Sequence, residues 1–498
     1  MSYSVLSPEE AAELIEDGQT VAFSGFTPAG AAKAVPAAIA KKANRLHQQN
    51  RPFKIRVLSG ASTGKLDDLL GEAEAISWRA PYQSSGPLRQ LINRDKVNYL
   101  DIHLSHMPQM TSYGFFGDID YAVVEATEVT RDGRVYLTTS IGASPVYMRD
   151  AKKVIIEINH YHSARLNEMA DIITYPKPPH RNYFIAIQQP TDKVGVPYMA
   201  INPKKIVGVV HNNEPDGIPV LDSPDNISQA IAEHIEKFML NELKTGRIPP
   251  EFLPLQAGVG NMANAVLLSL GKHPDIPHFD MFSEVYQDAM FTLMEQGKLK
   301  RTSACSLTIS DENLQKLYEN MDFFAPRIVL RPQGISNNPA VIRRLGVISM
   351  NTALEFDVFG HVNSTHTFGR TIVNGIGGSG DFARNAYLAV FMCPSIIKGG
   401  RISTVVPMVT HTDHSEHSVE IVVTEQGLAD LRGLSPKERA REIIDNCAHP
   451  AYRDYLHKYV KEAPAGHTRH NLYTCFELHR NLMETGQMLP ELNLDQFV

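Results

Sequence analysis

Short apolar runs alternate with longer amphipathic stretches along the chain. Runs of this length are typical of buried strands, and they fall at residues 20–23, 55–58, 121–125, 154–158 and 206–210. Segments with helical character separate several of these runs, as in a strand–helix–strand arrangement. The pattern therefore predicts an α/β fold with a largely parallel sheet.

The start of the chain carries clear helix signals. Ser7 and Glu10 have the spacing of a capping box, Pro8 stands at the first helical position, and Gly18 marks the expected end of the helix. An alanine-rich helix is expected after the first strand, at residues 31–43. The first strand is thus expected to lie between two helices.

A chain of 498 residues is too long for one hydrophobic core, so two domains are expected. A helical segment at residues 227–243 is followed by a break at residues 245–250, and a second α/β series begins at Phe252. We predict an N-terminal α/β domain at residues 1–224 and a C-terminal α/β domain at residues 225–498. Each half begins with a strand, a glycine-containing turn and an alanine-rich helix, which favours two similar α/β domains.

The charge balance is mildly acidic, with 55 acidic and 48 basic residues and a net charge of −7. A nucleic-acid-binding protein needs a basic face, so that class is not expected. Hydrophobic residues make up 43% of the chain, which excludes wholesale disorder. Because the overall field weakly opposes an anionic ligand, local groups would have to hold one.

Cysteine usage and hydropathy bear on the cellular compartment. The four cysteines are too few and too widely spaced for a disulfide framework or a CxxC motif. The first residues are too acidic and too broken for a signal or transit peptide. No run of about 20 apolar residues marks a membrane span. We therefore expect a soluble, cytoplasmic protein.

Two glycine-rich turns, at residues 258–263 and 375–380, match the G-x-G-x-x-G/A pattern of dinucleotide-binding turns. The free N–H groups at the start of a following helix favour anionic oxygen, although glycines in such turns are often purely structural. The helix after the second turn is expected at residues 383–392. A nicotinamide cofactor also needs an acid about 20 residues further on. Asp280 meets this test for the first turn, whereas residues 395–405 contain no acid for the second.

Two glutamates end apolar runs. Glu284 precedes an expected helix at residues 289–296, and Glu425 follows a run of valines. A carboxylate at the carboxyl end of a parallel strand points to the crevice where α/β proteins bind ligands. The alternative for Glu284 is an acid that stabilises a helix start, and for Glu425 a solvated turn residue.

Two further groups of residues are interpreted as structural. His411, His414 and His417 share no face of a helix or strand, so a polar loop is favoured over a metal site, and no metal is assigned. Four arginines are interpreted as members of ordinary surface ion pairs, namely Arg79, Arg327, Arg343 and Arg344.

Taken together, the motifs of this chain resemble the acetyl-CoA hydrolase/transferase family of class I CoA-transferases. They are VAFSGFTPAG at residues 21–30, YGFFGDID at 113–120, the turn at 258–263, SEV at 283–285, RPQGISNNP at 331–339, residues 374–384 and VTEQGLADLRG at 423–433. The resemblance covers almost the whole chain. It is strongest to the bacterial members that exchange CoA between succinate and propionate or acetate.

The resemblance implies that Glu284 is a nucleophile. In this family the glutamate attacks an acyl-CoA thioester to give a mixed anhydride, and the CoA thiolate then converts the anhydride into a glutamyl-CoA thioester. A second acid reverses these steps. Negative charge develops on a carbonyl oxygen at each attack, and the N–H of Gly378 and an N–H of Val259 or Gly260 are the expected donors. The choice between Val259 and Gly260 stays open.

Other site residues are implied in the same way. Asn337 and Glu425 match polar residues that position the acid substrate and the nucleophile, and Lys398 matches a basic contact to CoA. The residues that match CoA-contacting positions are Gly258, Val259, Gly260, Asn261, Met262, Ala263, Asn374, Gly378 and Lys398. The resemblance further implies an active site in the cleft between the two domains, a homodimer, and no cofactor beyond CoA as part of the substrate.

The sequence leaves four candidate functions. A CoA-transferase acting on acyl-CoA and small carboxylic acids (acetate, propionate and succinate) is favoured. An acetyl-CoA hydrolase would use the same Glu284, with water in place of the second acid. A nicotinamide-dependent oxidoreductase rests on the turn at 258–263 and Asp280, and it leaves the motifs at 374–384 and 423–433 unexplained. A binding module without catalysis is the last alternative.

Overall fold

A computed structural model describes residues 3–62, 64–174, 176, 184–220 and 224–494. The chain forms two compact units, and each unit is assembled from three stretches of sequence. Unit 1 comprises Met1–Val220, Asp280–Leu345 and Asn374–Asp381, and unit 2 comprises Leu221–Phe279, Gly346–Val373 and Phe382–Val498.

These units describe packing and not the division into sequence domains, so the boundary at residues 224 and 225 stays a prediction. The first stretch of unit 1 ends close to that boundary. Glu284 and Gly378, which lie in the predicted C-terminal half, both belong to unit 1.

Strands occur throughout the described residues and are numbered here in chain order. They are β1 Thr20–Phe23, β2 Ile55–Leu58, β3 Ile76–Ala80, β4 Asn98–Tyr99, β5 Tyr121–Val129, β6 Arg134–Leu137, β7 Lys153–Asn159, β8 Met199–Ala200, β9 Ile206–Asn212, β10 Leu255–Ala257, β11 Phe279–Phe282, β12 Val285–Gln287, β13 Leu299–Ala304, β14 Ser306–Thr308, β15 Ile328–Leu330, β16 Ile348–Thr352, β17 Glu355–Asp357, β18 Val362–Asn363, β19 His366–Thr367, β20 Thr371–Ile372, β21 Leu388–Met392, β22 Ile396–Ile397, β23 Ile402–Ser403, β24 Val405–Val406, β25 Ile421–Thr424 and β26 Gly427–Asp430.

Helices are numbered in the same way. They are α1 Pro8–Glu13, α2 Ala34–Gln48, α3 Lys65–Glu72, α4 Gly86–Ile92, α5 His106–Tyr113, α6 Ser144–Asp150, α7 Asn226–Lys244, α8 Asn261–Lys272, α9 Asp288–Glu295, α10 Asp311–Glu319, α11 Met321–Phe324, α12 Gln333–Ser336, α13 Pro339–Leu345, α14 Ser379–Ala383, α15 Pro436–Cys447, α16 Pro450–Glu462 and α17 Glu477–Thr485. Short 3₁₀ turns lie at Ala164–Glu168, Pro203–Lys205 and Glu416–Ser418.

The large sheet of unit 1 is mostly parallel. Its strands pair in the order β4-β3-β2-β1-β5-β7-β9, and every pair in this series is parallel. The antiparallel strands β6 and β8 extend from the distal half of β5. All four residues of β1 are buried, as expected for a strand with a covered sheet on both sides.

Apolar residues from several helices cover this sheet. Val35 and Ile39 of α2 and Leu70 of α3 pack in one core with Val21 and Ile55 of the central strands. The alanine-rich sequence of α2 lets the helix approach the sheet closely, because its buried positions carry small side chains.

The rest of unit 1 carries Glu284, which ends one of the apolar runs of the sequence. Strands β15, β13 and β11 are neighbours in that order, and β13 and β15 run parallel. Strands β12 and β14 form a separate parallel pair. Glu284 stands between β11 and β12.

Unit 2 has its own largely parallel strands. β10, β16, β21 and β25 are parallel neighbours, and β26 closes the series as an antiparallel hairpin with β25. Phe391 of β21 and Val422 of β25 are buried in one core with Ile443 and Ile444 of α15. The α/β class with mostly parallel sheets, predicted from the apolar runs, is confirmed.

The first predicted helix ends early. Ser7 and Glu10 make both hydrogen bonds of a capping box, but α1 ends at Glu13 and not near Gly18. The residues after Glu13 turn toward β1, and the carbonyls of Ala12 and Ile15 are bound by the Lys42 ammonium.

The helix predicted at residues 383–392 is wrong. Helix α14 ends at Ala383, and residues 388–392 form strand β21, which is buried along its whole length between β16 and β25. A short continuous apolar run fits a buried helix or a central parallel strand equally well, and here pairing on both sides decided the outcome.

The interpretation of Arg79 as a surface residue is also wrong. Its side chain is fully buried, and its Nε and Nη2 atoms donate to the Asp67 carboxylate at 2.9 and 3.0 Å. Arg327 and Arg344 instead donate to backbone carbonyls, Arg327 to Phe323 and Arg344 to Ile187. None of the helices in the described part of the chain has the length and hydropathy needed to cross a membrane.

Candidate active site

Glu284 stands at a corner that main-chain hydrogen bonds hold rigidly. The N–H of Ser283 donates to the carbonyl of Ser303 at 2.9 Å, and the N–H of Cys305 donates to the carbonyl of Glu284 at 2.7 Å. The Glu284 side chain is partly buried. A strand end therefore presents this carboxylate in a defined direction.

Asn337 lies directly against that carboxylate. It follows α12 and is fully buried, and its Nδ2 donates to Oε1 of Glu284. The hydroxyl of Ser336 donates to Oδ1 of Asn337 at 2.9 Å. Because a hydroxyl occupies the oxygen side of the amide, the N–H side must face Glu284.

A second carboxylate lies on the other side of Asn337. Oδ2 of Asp381 is 3.2 Å from the Asn337 Nδ2. Ser105 donates to Asp381 twice, from its main-chain N–H at 2.9 Å and from its hydroxyl at 2.6 Å. One carboxamide thus bridges two acids, Glu284 and Asp381.

The backbone of Gly378 lies close to the Glu284 carboxylate. A Cβ atom at Gly378 would overlap that carboxylate and would lie 2.6 Å from the Asn337 Nδ2. Only glycine lets the main chain approach the acid this closely. The structure therefore brings together three of the predicted site residues, Glu284, Asn337 and Gly378.

The turn that carries Gly378 is anchored by residues from early in the chain. The Tyr99 hydroxyl donates to the carbonyl of Asn374 at 2.9 Å. The N–H of Ile376 donates to the Asp101 carboxylate at 2.9 and 3.0 Å. A Cβ at Gly375 would lie 2.7 Å from both anchoring side chains. Side chains of one segment thus hold the turn on both sides of Gly375.

The two acids of the site have perturbed acidities. Burial raises the pKa of Glu284 to about 7; the negative charge of Asp381 acts in the same direction, and the Asn337 hydrogen bond opposes it. Burial raises the pKa of Asp381 to about 6, opposed by the hydrogen bonds of Ser105 and Asn337 and by the neighbouring His106. A raised pKa leaves Glu284 more basic than an ordinary glutamate.

Apolar residues surround this corner. They form one cluster of Phe26, Ala61, Leu104, Val285 and Cys305, with the partly buried ring of Tyr82 packed against it. Burial raises the pKa of Tyr82 to about 12, and the charges of Glu284 and Asp101 add to the effect. An apolar surrounding of this kind strengthens electrostatic interactions at Glu284.

The remaining predicted site residues belong to unit 2. Glu425 ends β25, and its carboxylate accepts from the Ser395 N–H at 2.7 Å, from the Ser395 hydroxyl and from the Gln426 side chain at 3.0 Å. Lys398 lies in the hairpin between β22 and β23 and has a positive φ of 53°.

The turn at 258–263 leads from β10 into α8. The N–H of Gly258 donates to the Met350 carbonyl at 3.0 Å, and Gly260 stands at the helix start with a φ of 128°. The Val259 side chain is exposed, Asn261 and Met262 are partly buried, and Ala263 is buried. This turn has the strand–turn–helix form predicted for it, with main-chain N–H groups at a helix start.

Some residues of the site were not found from the sequence. Asp381 stands within the motif at residues 374–384, which indicates its position but not its role. Ser105, Tyr99 and Asp101 lie about 270 residues away from the groups they contact. No periodicity in one sequence signals a contact of that range.

The histidines at 411–417 do not share one site. His411 faces Asp413 at 3.4 Å, the ring of His414 packs on Phe391, and His417 is exposed. Asp280 is engaged by Arg301 at 2.6 and 3.2 Å, which occupies the carboxylate that a dinucleotide ribose would need.

A buried group of ligand-type side chains lies elsewhere in unit 1. Glu125, His162 and Asp216 bring their ligand atoms within 4.8 Å of one another. The Lys33 ammonium stands among them, 2.5 Å from Glu125 and 3.0 Å from Asp216. Because the Lys33 ammonium balances the negative charges of Glu125 and Asp216, this cluster is a network of ion pairs between side chains.

Comparisons with known proteins show the family of this chain. The family model for the acetyl-CoA hydrolase/transferase N-terminal domain matches residues 2–211, and the model for the C-terminal domain matches residues 314–460. The chain belongs to the acetyl-CoA hydrolase/transferase family, and it is an enzyme of that family.

Three relatives align over nearly the whole chain. The propanoyl-CoA:succinate CoA transferase of Escherichia coli is 58% identical, over 97% of this chain and 98% of its own length. The succinyl-CoA:acetate CoA-transferase of Clostridium kluyveri is 44% identical, over 97% and 90%. An acetyl-CoA hydrolase of Schizosaccharomyces pombe is 40% identical, over 97% and 96%. The crystal structure of RipA from Yersinia pestis has a TM-score of 0.72 at 24% identity, over 92% of this chain and 97% of RipA, and supports the fold.

Proposed function

We propose that the chain is a CoA-transferase that moves CoA between short-chain carboxylic acids through a covalent adduct on Glu284. The observation that carries this proposal is the arrangement around Glu284: a rigidly held, basic carboxylate with the Asn337 amide on one oxygen and the Gly378 backbone against it. A carboxylate of this kind can form an anhydride with an acyl group and a thioester with CoA.

In the first half-reaction, an oxygen of the Glu284 carboxylate attacks the carbonyl carbon of the acyl-CoA thioester. The C–S bond breaks, CoA leaves as a thiolate, and a mixed anhydride joins the acyl group to Glu284. The thiolate then attacks the glutamyl carbonyl of the anhydride. The first acid leaves as a carboxylate, and Glu284 now carries CoA as a thioester.

The second half-reaction reverses this order with another acid. Its carboxylate attacks the glutamyl thioester, CoA thiolate leaves, and a new anhydride forms. The thiolate attacks the acyl carbonyl of that anhydride, which gives the new acyl-CoA and returns Glu284 as a free carboxylate. No step needs an external acid, base or oxidant, since each leaving group is the next nucleophile.

Each attack places negative charge on a carbonyl oxygen. The proposed donors are the N–H of Gly378 and an N–H of the turn at Val259 or Gly260, and loss of one such donor costs about 3 kcal/mol in other enzymes. Support for Gly378 is its approach to Glu284, which no other residue type allows. Asn337 is proposed to hold the nucleophile, and Glu425 to position the acid substrate.

The proposed CoA-binding residues are Gly258, Val259, Gly260, Asn261, Met262, Ala263, Asn374, Gly378 and Lys398. The helix start after Gly260 offers N–H groups to anionic oxygen, and Lys398 adds a positive charge in a chain whose net charge is negative. CoA enters only as part of the substrate, and no other cofactor is proposed.

Succinate with propionate or acetate is the proposed set of acids. The support is the printed activity of the relatives at 58% and 44% identity. An acetyl-CoA hydrolase at 40% identity keeps hydrolysis as the second candidate, with water resolving the glutamyl thioester.

A trapping experiment tests the proposal. The protein is incubated with propionyl-CoA and no acceptor acid, treated with borohydride, and digested for peptide mass measurement. We expect a reduced adduct on Glu284, and we expect added succinate to discharge it with formation of succinyl-CoA. The variant Glu284→Ala should give no adduct, whereas Glu312→Ala, which removes an exposed glutamate of the same unit, should behave as the unchanged protein.

Other outcomes would change the conclusion. Steady release of CoA into water, undiminished by any acid, would indicate the hydrolase. An adduct on another residue, or none with several acyl-CoA substrates, would contradict the role of Glu284.

A cytoplasmic homodimer is the proposed state of the enzyme. The buried, unpaired thiols of Cys305, Cys393, Cys447 and Cys475 support a reducing compartment. Dimerisation follows from the resemblance to the family, and light scattering at micromolar concentration would test it.

A further inference from the structure

A short hydrogen-bonded chain links Ser105 to the nucleophile. Ser105 donates twice to Asp381, Asn337 donates to Asp381 and to Glu284, and Ser336 donates to the oxygen of Asn337. The amide of Asn337 therefore has its oxygen and both hydrogens assigned, and one of those hydrogens meets Glu284.

Asp381 fixes this amide more firmly than Glu284 alone could. An amide with one bound N–H can rotate about its side-chain torsions, whereas a second acceptor on the other N–H defines its plane. Asp381 is itself buried and held by two donors of Ser105, so its carboxylate cannot turn away without leaving polar atoms unpaired. Asp381 thus influences the geometry at Glu284 through the amide of Asn337.

The charge of Asp381 has a second effect. A like charge close to Glu284 disfavours its ionised form and keeps the carboxylate basic. Nucleophilicity rises with basicity, as is established for thiolates. The negative charge of Glu284 in turn helps to raise the pKa of the Tyr82 hydroxyl and of the Cys305 thiol.

We propose that Asp381, held by Ser105, is a positioning residue for the reaction at Glu284, orienting the Asn337 amide and supplying a second negative charge beside the nucleophile. This inference rests on the proposed role of Glu284 as the nucleophile. His106 is a further neighbour of Asp381 and acts to lower the pKa of its carboxyl group.

Two substitutions at this position separate orientation from charge. In Asp381→Asn, the amide oxygen can replace Oδ2 as acceptor for Ser105 and Asn337, and the new NH₂ can donate to the Ser105 hydroxyl. Asp381→Ala removes every acceptor. Ser105→Ala removes one donor and leaves Asp381 in place, and Asp322→Asn alters an exposed acid of the same unit as a control.

The measurement is the rate at which propionyl-CoA alone acylates Glu284, followed by quench and adduct mass from pH 5.5 to 9. For Asp381→Ala we expect a fall on the order of 10- to 100-fold at saturating propionyl-CoA, because a misplacement of about 1 Å at a reacting group can cost about 100-fold in rate. KM should change little, because Asp381 is not placed against CoA. Asp381→Asn should keep most of the rate above neutral pH and shift the acidic limb to lower pH.

An Asp381→Ala rate equal to that of the unchanged protein would overturn the proposal. So would an Asp381→Asn variant as slow as Asp381→Ala with its acidic limb unmoved. Thermal unfolding of each variant shows whether a loss of rate reflects misfolding. Ser105→Ala is expected to be slowed less than Asp381→Ala. If the unchanged protein forms no adduct on Glu284, the proposed function itself fails, and that result is distinct from the two outcomes for the Asp381 variants.

Discussion

The backbone of Gly378 lies so close to the Glu284 carboxylate that a Cβ atom at residue 378 would overlap the carboxylate. This close approach supports the proposal that the Gly378 N–H stabilises the negative charge that develops on a substrate carbonyl oxygen. It also gives a steric reason for glycine at residue 378, because any side chain there would overlap Glu284.

Gly378→Ala is therefore expected to reduce kcat about 100-fold or more, the loss typical of a misplaced oxyanion donor. The added methyl group must displace either Glu284 or the turn. The matched control is Gly86→Ala, because a Cβ at Gly86 meets no atom within 4 Å and this residue begins a helix. Steady-state kinetics and thermal unfolding of both variants test this; equal activity of the two would contradict it.

The pKa of Glu284 predicts the pH dependence of the reaction. Burial raises this pKa to about 7, and in the proposed mechanism only the ionised carboxylate attacks the thioester. The value of kcat/KM reports the free enzyme, so it should rise about tenfold per pH unit below pH 7 and level off above it. Initial rates between pH 5 and 9 with propionyl-CoA and acetate measure this. A limb near the ordinary pKa of a glutamate would contradict the raised value.

Asp101 is expected to support catalysis through the turn that carries Gly378. Its carboxylate accepts the N–H of Ile376, and Asp101→Ala leaves that N–H without its acceptor. A fall in kcat on the order of 10-fold is expected, because the turn loses an anchor while Glu284 stays in place. Asp101→Asn, which keeps an acceptor oxygen, should recover most of the activity, and equal losses in both variants would contradict an anchoring role.

Much of the fold could be predicted because its central strands are short, apolar and bounded by turn residues. The strands at residues 20–23 and 55–58 have the predicted bounds. The prediction of a helix at residues 383–392 is wrong for a related reason. A short apolar run indicates that its residues are buried, but it does not show whether they form a helix or a strand. Only the pairing of β21 with strands on both sides distinguishes the strand from a buried helix.

Only some residues of the site could likewise be predicted from the sequence. Glu284, Asn337 and Gly378 stand in motifs that could be matched to a family. Asp381, Ser105 and Asp101 act through contacts across about 45 to 275 residues, which leave no trace in local periodicity. Arg79 shows the converse, since a single arginine in a strand gives no sign of the buried carboxylate that meets it.

The buried pair of Arg79 and Asp67 predicts a stability effect. Removing one member leaves the other charge buried without a partner, so Arg79→Met should lower the free energy of unfolding by about 3–5 kcal/mol. The exposed pair of Arg165 and Glu168 provides the control, and Arg165→Ala should cost less than about 1 kcal/mol. Urea unfolding measures both, and similar losses would contradict the distinction.

The ion network around Lys33 predicts a loss of stability at alkaline pH. Burial alone would lower the pKa of His162, but the carboxylates of Asp216 and Glu125, at 3.5 and 3.4 Å, overcome this and raise the pKa to about 9. In the unfolded chain the pKa is about 6.5. A raised folded pKa means that the stabilisation is complete below pH 6.5 and disappears as pH rises through 9.

The free energy of unfolding should therefore fall between about pH 6.5 and 9, with a slope of at most about 1.4 kcal/mol per pH unit from this one group. His162→Gln removes the titrating ring and should flatten this part of the curve while lowering stability at pH 6. His417→Gln, at an exposed histidine, should leave the shape of the curve unchanged. Urea unfolding at closely spaced pH values measures all three proteins. A His162→Gln curve parallel to that of the unchanged protein would show that His162 is not charged in the fold.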